Sequence, residues 1–371
     1  MIIGIPKEVK DHEYRVGATP AVVRALVETG NKVLFQSGAG LRSGYPDALY
    51  TSVGAMIVPT AEEVYEAEMI IKVKEPIKQE YSLLRKDQIL FCYLHLAPDP
   101  VLTKTLVDKG VVAIAYETVT DVEGRLPLLL PMSEIAGRVS IQVGATALQM
   151  INGGKGVLLG GVPGVQPAKV VIIGGGIAGT EAARMARGLE AHVTIIDKNL
   201  NRLRSLNMIF GSHIRTQFST QTAIEDAVAS ADLVIGSVLI PGKSAPKLIT
   251  EKMVQDMSPG SAFVDISIDQ GGCSETSKPT THTNPMYIMH DVVHYCVTNM
   301  PGACSRTATQ ALTHATMDYA LKIANLGYKS ALLRDPGLLQ GLNVYKGVVT
   351  NEHVASDLGY DYVSPEKALN L

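Results

Sequence analysis

Three glycines and one aspartate have the types and the spacing to bind a dinucleotide. Gly174, Gly176 and Gly179 follow the apolar segment Lys169–Ile173 at the first, third and sixth positions of a turn. The first glycine permits the tight turn, the second lets the backbone approach a pyrophosphate, and the third lets the next helix pack closely on the strand. The amino end of that helix presents its positive dipole to the phosphates. The combination favours a dinucleotide site over a purely structural glycine turn.

The acidic residue indicates which dinucleotide binds. Asp197 ends the next apolar segment, Ala191–Asp197, where its carboxylate can accept hydrogen bonds from the ribose hydroxyls. The same carboxylate would repel a 2′-phosphate, which favours NAD over NADP. Arg202 and Arg204 follow closely and could partly offset that repulsion, so NADP is disfavoured without being excluded.

A second group of chemically suitable residues follows predicted strands in the first third of the chain. Arg15 lies in the polar loop after the first strand, Lys74 ends the segment Met69–Lys74, and His95 ends the segment Ile89–His95. In an open parallel sheet, ligands bind beyond the carboxyl ends of the strands. A guanidinium, an ammonium and an imidazole at that edge suit the binding of a small carboxylate and the transfer of a proton. The plainer alternative is two solvated cations and a histidine satisfied at a strand end.

The same rule selects Asp269 in the later part of the chain. It follows the apolar segment Phe263–Ile268 and precedes Gly271 and Gly272, which suggest a backbone turn at the nicotinamide end of the cofactor. The alternative is an aspartate that only caps a turn. Taken together, the residues predict an NAD-dependent oxidoreductase of a small carboxylate, with its site in a cleft between two domains.

Short apolar strands alternate with helices along the chain, a pattern typical of parallel sheets covered on both faces. The predicted strands are Ile2–Ile5, Lys32–Phe35, Met69–Val73, Ile89–Leu94, Val111–Tyr116, Leu233–Val238, Ala262–Ile266 and Val292–Val297, and the predicted helices include Pro20–Glu28, Ala61–Ala67 and Pro100–Lys109. Long helices over Ser133–Ile151 and Arg306–Asn325 bracket the nucleotide segment, and the tail after them shows only short helical or turn segments. We therefore predict an α/β protein with two doubly wound domains. A Rossmann NAD-binding domain (131–305) is inserted in a flavodoxin-like substrate domain (1–130 and 306–371).

Bulk composition narrows the class of protein. The chain has 371 residues, 46 % of them hydrophobic, and a formal net charge of −3, so a nucleic-acid or anionic-membrane partner has no basic surface to bind. No apolar run reaches the roughly 18 residues of a membrane span. The amino terminus resembles no signal peptide. The cysteines have no metal-ligand spacing and are interpreted as reduced thiols of a cytoplasmic protein: Cys92, Cys273, Cys296 and Cys304.

Several motifs, taken together, resemble the alanine dehydrogenase / pyridine nucleotide transhydrogenase family, and within it the bacterial L-alanine dehydrogenases. The resemblance covers essentially the whole chain. The motifs are Gly4–Glu8, Glu13–Val16, Val73–Pro76, Tyr93–Ala97, Pro131–Glu134, Leu159–Gly164, Val238–Gly242, Asp269–Gly272 and Val297–Ala303.

The resemblance implies reversible oxidative deamination of L-alanine with NAD, giving pyruvate and ammonium, without a metal. It implies that Arg15 and Lys74 bind the substrate carboxylate, and that His95 and Asp269 are the catalytic acid–base residues. A homo-hexamer is also implied by the family alone. The implied cofactor contacts are Ser133, Gly174, Gly176, Gly179, Asp197, Arg202, Leu239 and Asn299.

Three other functions remain as alternatives. A transhydrogenase-like nucleotide subunit exchanges hydride between nucleotides and needs no acid–base pair, so His95 with Asp269 argues against it. A 2-hydroxy-acid dehydrogenase could also use a histidine and an arginine, but it would be indifferent to ammonium. A catalytically silent NAD-binding protein would bind NADH without turnover.

Overall fold

The computed structural model describes residues 1–238 and 245–370. The chain divides into two compact units. The first unit comprises Met1–Met132 and Cys304–Leu371, and the second comprises Ser133–Ala303. No helix in the described part of the chain is both long enough and apolar enough to cross a membrane.

The strands are numbered in chain order. They are β1 (Ile2–Ile5), β2 (Lys32–Gln36), β3 (Met56–Val58), β4 (Met69–Ile71), β5 (Ile89–Cys92), β6 (Val112–Ala115), β7 (Lys169–Ile173), β8 (His192–Asp197), β9 (Arg215–Phe218), β10 (Leu233–Gly236), β11 (Ala262–Asp265), β12 (Met286–Met289), β13 (Val292–Tyr295), β14 (Leu342–Tyr345) and β15 (Val348–Val349).

The helices are numbered in the same way. They are α1 (Pro20–Glu28), α2 (Asp47–Thr51), α3 (Ala61–Val64), α4 (Pro100–Lys109), α5 (Leu130–Ala147), α6 (Ile177–Gly188), α7 (Leu200–Phe210), α8 (Gln221–Ser230), α9 (Glu251–Gln255), α10 (Ser305–Leu326), α11 (Tyr328–Arg334), α12 (Pro336–Leu339), α13 (Glu352–Leu358) and α14 (Pro365–Asn370).

Local sequence signals account for the helix ends. The α4 helix begins after Asp99, whose side chain accepts a hydrogen bond from the Leu102 backbone N–H at 2.9 Å, and Pro100 occupies its first turn. It ends at Gly110, which adopts a left-handed backbone with φ of 64°. The predicted bounds of α1 and α4 are both confirmed.

The first unit is built on an eight-stranded sheet with the order β15-β14-β6-β5-β4-β1-β2-β3. The strands β1 to β6 pair in parallel, whereas β14 is antiparallel to both β6 and β15. Ile3, Ile70, Leu90 and Phe91 are all fully buried, as expected for short apolar strands covered on both faces. The central order β2-β1-β4-β5-β6 is the flavodoxin-like doubly wound arrangement.

The second unit has a seven-stranded sheet with the order β12-β13-β11-β10-β7-β8-β9. Every pairing is parallel except that of the edge strand β12 with β13. The series β9-β8-β7-β10-β11 is the Rossmann order. Ala182, Ala183 and Ala186 of α6 are fully buried against this sheet, and their small side chains let the helix approach it closely. The prediction of two doubly wound α/β domains is confirmed.

Several features differ from the sequence-based prediction, and the strands β3, β9 and β12 are among those that were not predicted. The tail contributes β14 and β15 to the first sheet, whereas only helical or turn segments were predicted there. The strands β4 and β5 also end earlier than predicted, because carboxylates intercept their last backbone donors. The Val73 N–H donates to Glu8 at 2.7 Å, and the Leu94 N–H donates to Glu117 at 3.1 Å.

Candidate active site

The glycine-rich turn has the geometry that a pyrophosphate requires. Gly174 has a φ of 101°, and a Cβ there would lie 2.7 Å from the carbonyl oxygen of Ser237. A Cβ at Gly179 would lie 1.9 Å from the carbonyl oxygen of Gly174, so α6 packs directly on the turn. By contrast, a Cβ at Gly176 would have no described atom within 4 Å. The backbone at Gly176, at the amino end of α6, is therefore open to a neighbouring group, as a phosphate site at a helix amino end requires.

Asp197 and Arg202 are both tied to this turn. Asp197 ends β8, half-buried, and its carboxylate accepts hydrogen bonds from the backbone N–H groups of Gly175 and Asn199, each at 2.7 Å. The Arg202 guanidinium donates to the carbonyl oxygen of Gly175 and to the Thr180 hydroxyl. These hydrogen bonds from Arg202 hold the glycine-rich turn in place, a role that the sequence did not indicate.

Three further residues were predicted to contact the cofactor: Ser133, Leu239 and Asn299. Ser133 is half-buried in α5, one turn before Gly137, whose Cβ would lie 2.2 Å from the carbonyl oxygen of Ala178. The α5 helix therefore passes against the first turn of α6. Leu239 lies outside the described residues, as does most of the Val238–Gly242 motif. Asn299 adopts a left-handed backbone with φ of 62°.

Asp269 lies on the loop after β11, in a short 3₁₀ helix, Ile266–Gln270. Its side chain is exposed, and its carboxylate accepts a hydrogen bond from the Asn299 backbone N–H at 3.2 Å. Gly271 and Gly272 follow with φ of 89° and 77°, which confirms the predicted turn. The buried Oε1 of Gln270 has no hydrogen-bond partner among the described residues.

Arg15 is fully buried in the first unit and forms a two-point ion pair with Glu13. Its Nε donates to Oε1 at 2.7 Å and its Nη2 to Oε2 at 2.6 Å, while Nη1 lies 3.0 Å from the Met132 sulfur. Burial opposes the ionisation of Glu13, but the adjacent guanidinium outweighs it and lowers the pKa of Glu13 to about 2. The pKa of Arg15 is raised, because its attraction to Glu13 exceeds its own burial penalty. Both groups are therefore charged at neutral pH.

Lys74 lies near this ion pair. Its positive charge contributes to the lowered pKa of both Glu13 and Glu75, despite the burial of those carboxyl groups. Glu75 also forms an ion pair with Lys10. Lys74 itself is half-buried, three residues beyond the end of β4.

His95 has an exposed side chain and a left-handed backbone with φ of 48°. Few non-glycine residues adopt that conformation, and those that do cluster at functional sites. Glu117, which follows the neighbouring strand β6, accepts a hydrogen bond from the His95 backbone N–H at 2.6 Å. The imidazole also stacks on the Tyr93 ring, with centroids 5.9 Å apart. Since β1, β4 and β5 are adjacent and parallel, Arg15, Lys74 and His95 follow the same edge of the sheet.

Sequence reasoning missed the carboxylates that hold these groups. These carboxylates include Glu13 beside Arg15 and Glu117 beside His95. Two more, Glu8 and Glu80, lie 3.1 and 2.8 Å from the Nζ of the buried Lys72. All of these acids occur within a few residues of the predicted cations in sequence or on a neighbouring strand. Acids so close to buried strand ends were the available signal, since buried charges need partners.

Two family models match the chain. "Alanine dehydrogenase/PNT, N-terminal domain" covers residues 4–136, and "Alanine dehydrogenase/PNT, C-terminal domain" covers residues 140–352. The chain belongs to the alanine dehydrogenase/PNT family. The family resemblance inferred from the sequence motifs is therefore confirmed, and the family and its fold imply a nicotinamide nucleotide cofactor.

Curated members of the alanine dehydrogenase/PNT family are similar over their full length. Alanine dehydrogenase of Methanococcus maripaludis is 56 % identical over 100 % of both chains. Alanine dehydrogenase of Bacillus subtilis is 57 % identical over 100 % of this chain and 98 % of its own.

Solved structures of other proteins have a similar fold over nearly the whole chain. An L-alanine dehydrogenase superposes with a TM-score of 0.94 at 52 % identity, covering 97 % of this chain and 99 % of its own. A transhydrogenase from Sinorhizobium meliloti has a TM-score of 0.81 at 23 % identity, covering 95 % of this chain and 99 % of its own. The second similarity shows a shared fold alone.

Proposed function

We propose that the protein is an NAD-dependent L-alanine dehydrogenase, which converts L-alanine, NAD⁺ and water reversibly into pyruvate, ammonium, NADH and a proton. The observation that carries the proposal is the placement of Arg15, Lys74 and His95 along one sheet edge of the first unit. The names of relatives more than 50 % identical over their full length support the same substrate.

The charges in the first unit suit a monocarboxylate. Glu13 neutralises one of the two cations, so the group formed by Glu13, Arg15 and Lys74 keeps a single net positive charge. The two-point ion pair also fixes the plane of the guanidinium. A substrate carboxylate bound by Arg15 and Lys74 would be held in one orientation, which is how binding energy is converted into rate.

His95 and Asp269 supply the proton transfers. When bound, the nicotinamide nucleotide accepts a hydride from the α-carbon of alanine, and water must then add to the resulting iminium carbon. Asp269, an exposed carboxylate, would orient that water and accept its proton. His95 would hydrogen-bond the new hydroxyl oxygen and remove its proton as ammonia leaves and the carbonyl forms, because an imidazole exchanges protons near neutral pH.

Asp197 supports NAD as the cofactor. Its carboxylate ends β8 and is held by two backbone N–H groups, so it is fixed beside the glycine-rich turn as an acceptor for ribose hydroxyls. Arg202 follows closely in the sequence and is a cation that could offset the repulsion between Asp197 and a 2′-phosphate. Its guanidinium already donates hydrogen bonds to the Gly175 carbonyl oxygen and the Thr180 hydroxyl. A 2′-phosphate would therefore meet the Asp197 carboxylate first.

The test is the oxidation of NADH by pyruvate, followed by absorbance, with and without ammonium. We expect oxidation only in the presence of ammonium. Oxidation without ammonium would indicate a 2-hydroxy-acid dehydrogenase and contradict the role of Asp269. Binding of NADH without oxidation in either mixture would favour the transhydrogenase-like or the silent alternative.

We also infer a cytoplasmic location, which rests on the cysteines interpreted from the sequence as reduced thiols, and self-association to a hexamer, which rests on the family resemblance. Exposed apolar residues in one segment of the second unit support an association surface: Met150, Ile151, Leu158, Val162 and Val165. Analytical ultracentrifugation tests the assembly, and a monomer at all concentrations would overturn it.

A further inference from the structure

Asp265 is a fully buried carboxylate at the end of β11, four residues before Asp269. Its Oδ1 accepts a hydrogen bond from the Ser267 backbone N–H at 2.9 Å, and its Oδ2 accepts one from the Cys273 backbone N–H at 2.8 Å. The Ser277 hydroxyl donates to Oδ2, and the Cys273 thiol lies 3.6 Å from Oδ1. The donors therefore come from both sides of Asp269 along the chain, and one carboxylate closes the loop that carries it.

Neighbouring glycines leave room for this carboxylate. A Cβ at Gly272 would lie 2.7 Å from Oδ2 of Asp265, and a Cβ at Gly236 would lie 3.2 Å from Oδ1. Two of the donors are backbone N–H groups, which cannot reverse their role. Both terminal atoms of the side chain at position 265 must therefore accept hydrogen bonds. A carboxylate has two such oxygens, whereas a carboxamide has only one.

The loop closed by Asp265 is also joined to other parts of the second unit. The Ser267 hydroxyl accepts a hydrogen bond at 2.9 Å from the backbone N–H of Val238, which lies two residues after β10. The Gly271 carbonyl accepts one from Lys247 at 2.6 Å, and the Asp269 carboxylate accepts the Asn299 N–H. A shift of this loop would therefore displace the Asp269 carboxylate and disturb its hydrogen bond with the Asn299 N–H.

We propose that Asp265 is a positioning residue for the dehydrogenase reaction: by closing the loop between Ser267 and Ser277, it fixes the Asp269 carboxylate where water is activated. The proposal rests on the function proposed above. Burial raises the pKa of Asp265 even though several donors oppose the shift. A raised folded-state pKa means that keeping the Asp265 carboxylate ionised at neutral pH costs stability.

The test compares Asp265→Asn with Asp232→Asn. Asp232 is the matched control, because it accepts the Lys169 backbone N–H at 2.7 Å in the same sheet but lies before β10, at the opposite strand ends. Ser277→Ala removes a single donor and serves as the milder variant if Asp265→Asn does not fold. The measurements are kcat and KM for pyruvate with saturating ammonium, the Kd for NADH by fluorescence, and Tm.

We expect Asp265→Asn to lower kcat about 10- to 100-fold, the range that a displacement of roughly 1 Å produces, with the Kd for NADH changed less than about 3-fold. Ser277→Ala should lower kcat about 2- to 5-fold, and Asp232→Asn should lower Tm with kcat unchanged. An unchanged kcat in Asp265→Asn, or in Ser277→Ala when the first variant does not fold, would overturn the proposal. So would equal losses of kcat in Asp265→Asn and Asp232→Asn. An unmodified protein without ammonium-dependent activity would instead contradict the proposed function.

Discussion

Replacing Glu13 with glutamine tests whether the buried ion pair holds Arg15, the cation that we propose binds the substrate carboxylate, in place. Both side chains are almost fully buried, and their two charge-assisted hydrogen bonds measure 2.6 and 2.7 Å. The glutamine side chain would keep one acceptor oxygen but turn its amide donors toward Nη2 of Arg15. The variant therefore leaves a buried guanidinium with only part of its counter-charge, which is among the more destabilising single changes.

The lowered pKa of Glu13 gives the expected loss of stability in Glu13→Gln. A fall in the pKa of Glu13 from 4.5 to about 2 corresponds to about 3 kcal/mol of stability at pH 7. Because the folded-state pKa is depressed, this contribution is fully present above the unfolded value and is lost as pH falls through the folded value. At pH 3 it should have decreased to about 1 kcal/mol.

The assay is urea unfolding of both proteins between pH 7 and pH 3. We expect the difference in unfolding free energy to fall from about 3 to about 1 kcal/mol over that range. Asp108→Asn breaks the exposed ion pair with Lys104 on α4 and is the control, with an expected effect below about 0.5 kcal/mol at every pH. Glu13→Gln should also raise KM for pyruvate while leaving the Kd for NADH unchanged, since the dinucleotide turn belongs to the other unit. A pH-independent difference, or one no larger than that of Asp108→Asn, would refute the reasoning.

Substitutions at four further residues separate binding, folding and catalysis. Gly179→Ala should lower Tm sharply because its Cβ would lie 1.9 Å from the Gly174 carbonyl oxygen, whereas Gly176→Ala should fold normally and weaken NADH binding; equal Tm losses would contradict this. Asp197→Ala should raise the Kd for NADH about 10-fold or more in fluorescence titrations and reduce the preference over NADPH, and an unchanged preference would count against its role. Glu117→Ala should lower kcat about 10-fold, because the left-handed backbone of His95 loses its acceptor, while Glu117→Gln should retain most activity through its remaining oxygen. Equal kcat in the alanine variant and the unmodified protein would exclude this role for Glu117.

Local patterns were sufficient for much of the architecture. The runs at Ile2–Ile5 and Lys169–Ile173 are continuous, apolar and short, so their conformation follows from the residues themselves. The bounds of α4 follow equally from the Asp-Pro start and the glycine end. The strands β14 and β15 were not predicted, because the antiparallel pairing of β14 with β6, more than 200 residues earlier in the chain, leaves no local signature.

The sequence signalled the acids of the candidate site but not most of their pairings, for a related reason. Arg15, Lys74 and His95 could be selected because the carboxyl ends of parallel strands meet at one edge. Glu13 lies only two residues from Arg15, but the partners of the other groups could not be assigned, since their pairing depends on distances of a few ångströms between chain segments. Glu117 meets His95 only because β5 and β6 are neighbours, and Asp265 reaches Ser277 only because a loop folds back.

The sequence by itself determined the kinds of chemistry available and the order of the strands and helices that carry them. The glycine turn needs residues without side chains, and an acid at the end of β8 needs only the right spacing, so both can be read along the chain. The tertiary structure alone decided which charges are buried together. Burial makes a pairing strong and shifts a pKa, and a residue such as Glu13 becomes buried only when distant segments pack around it.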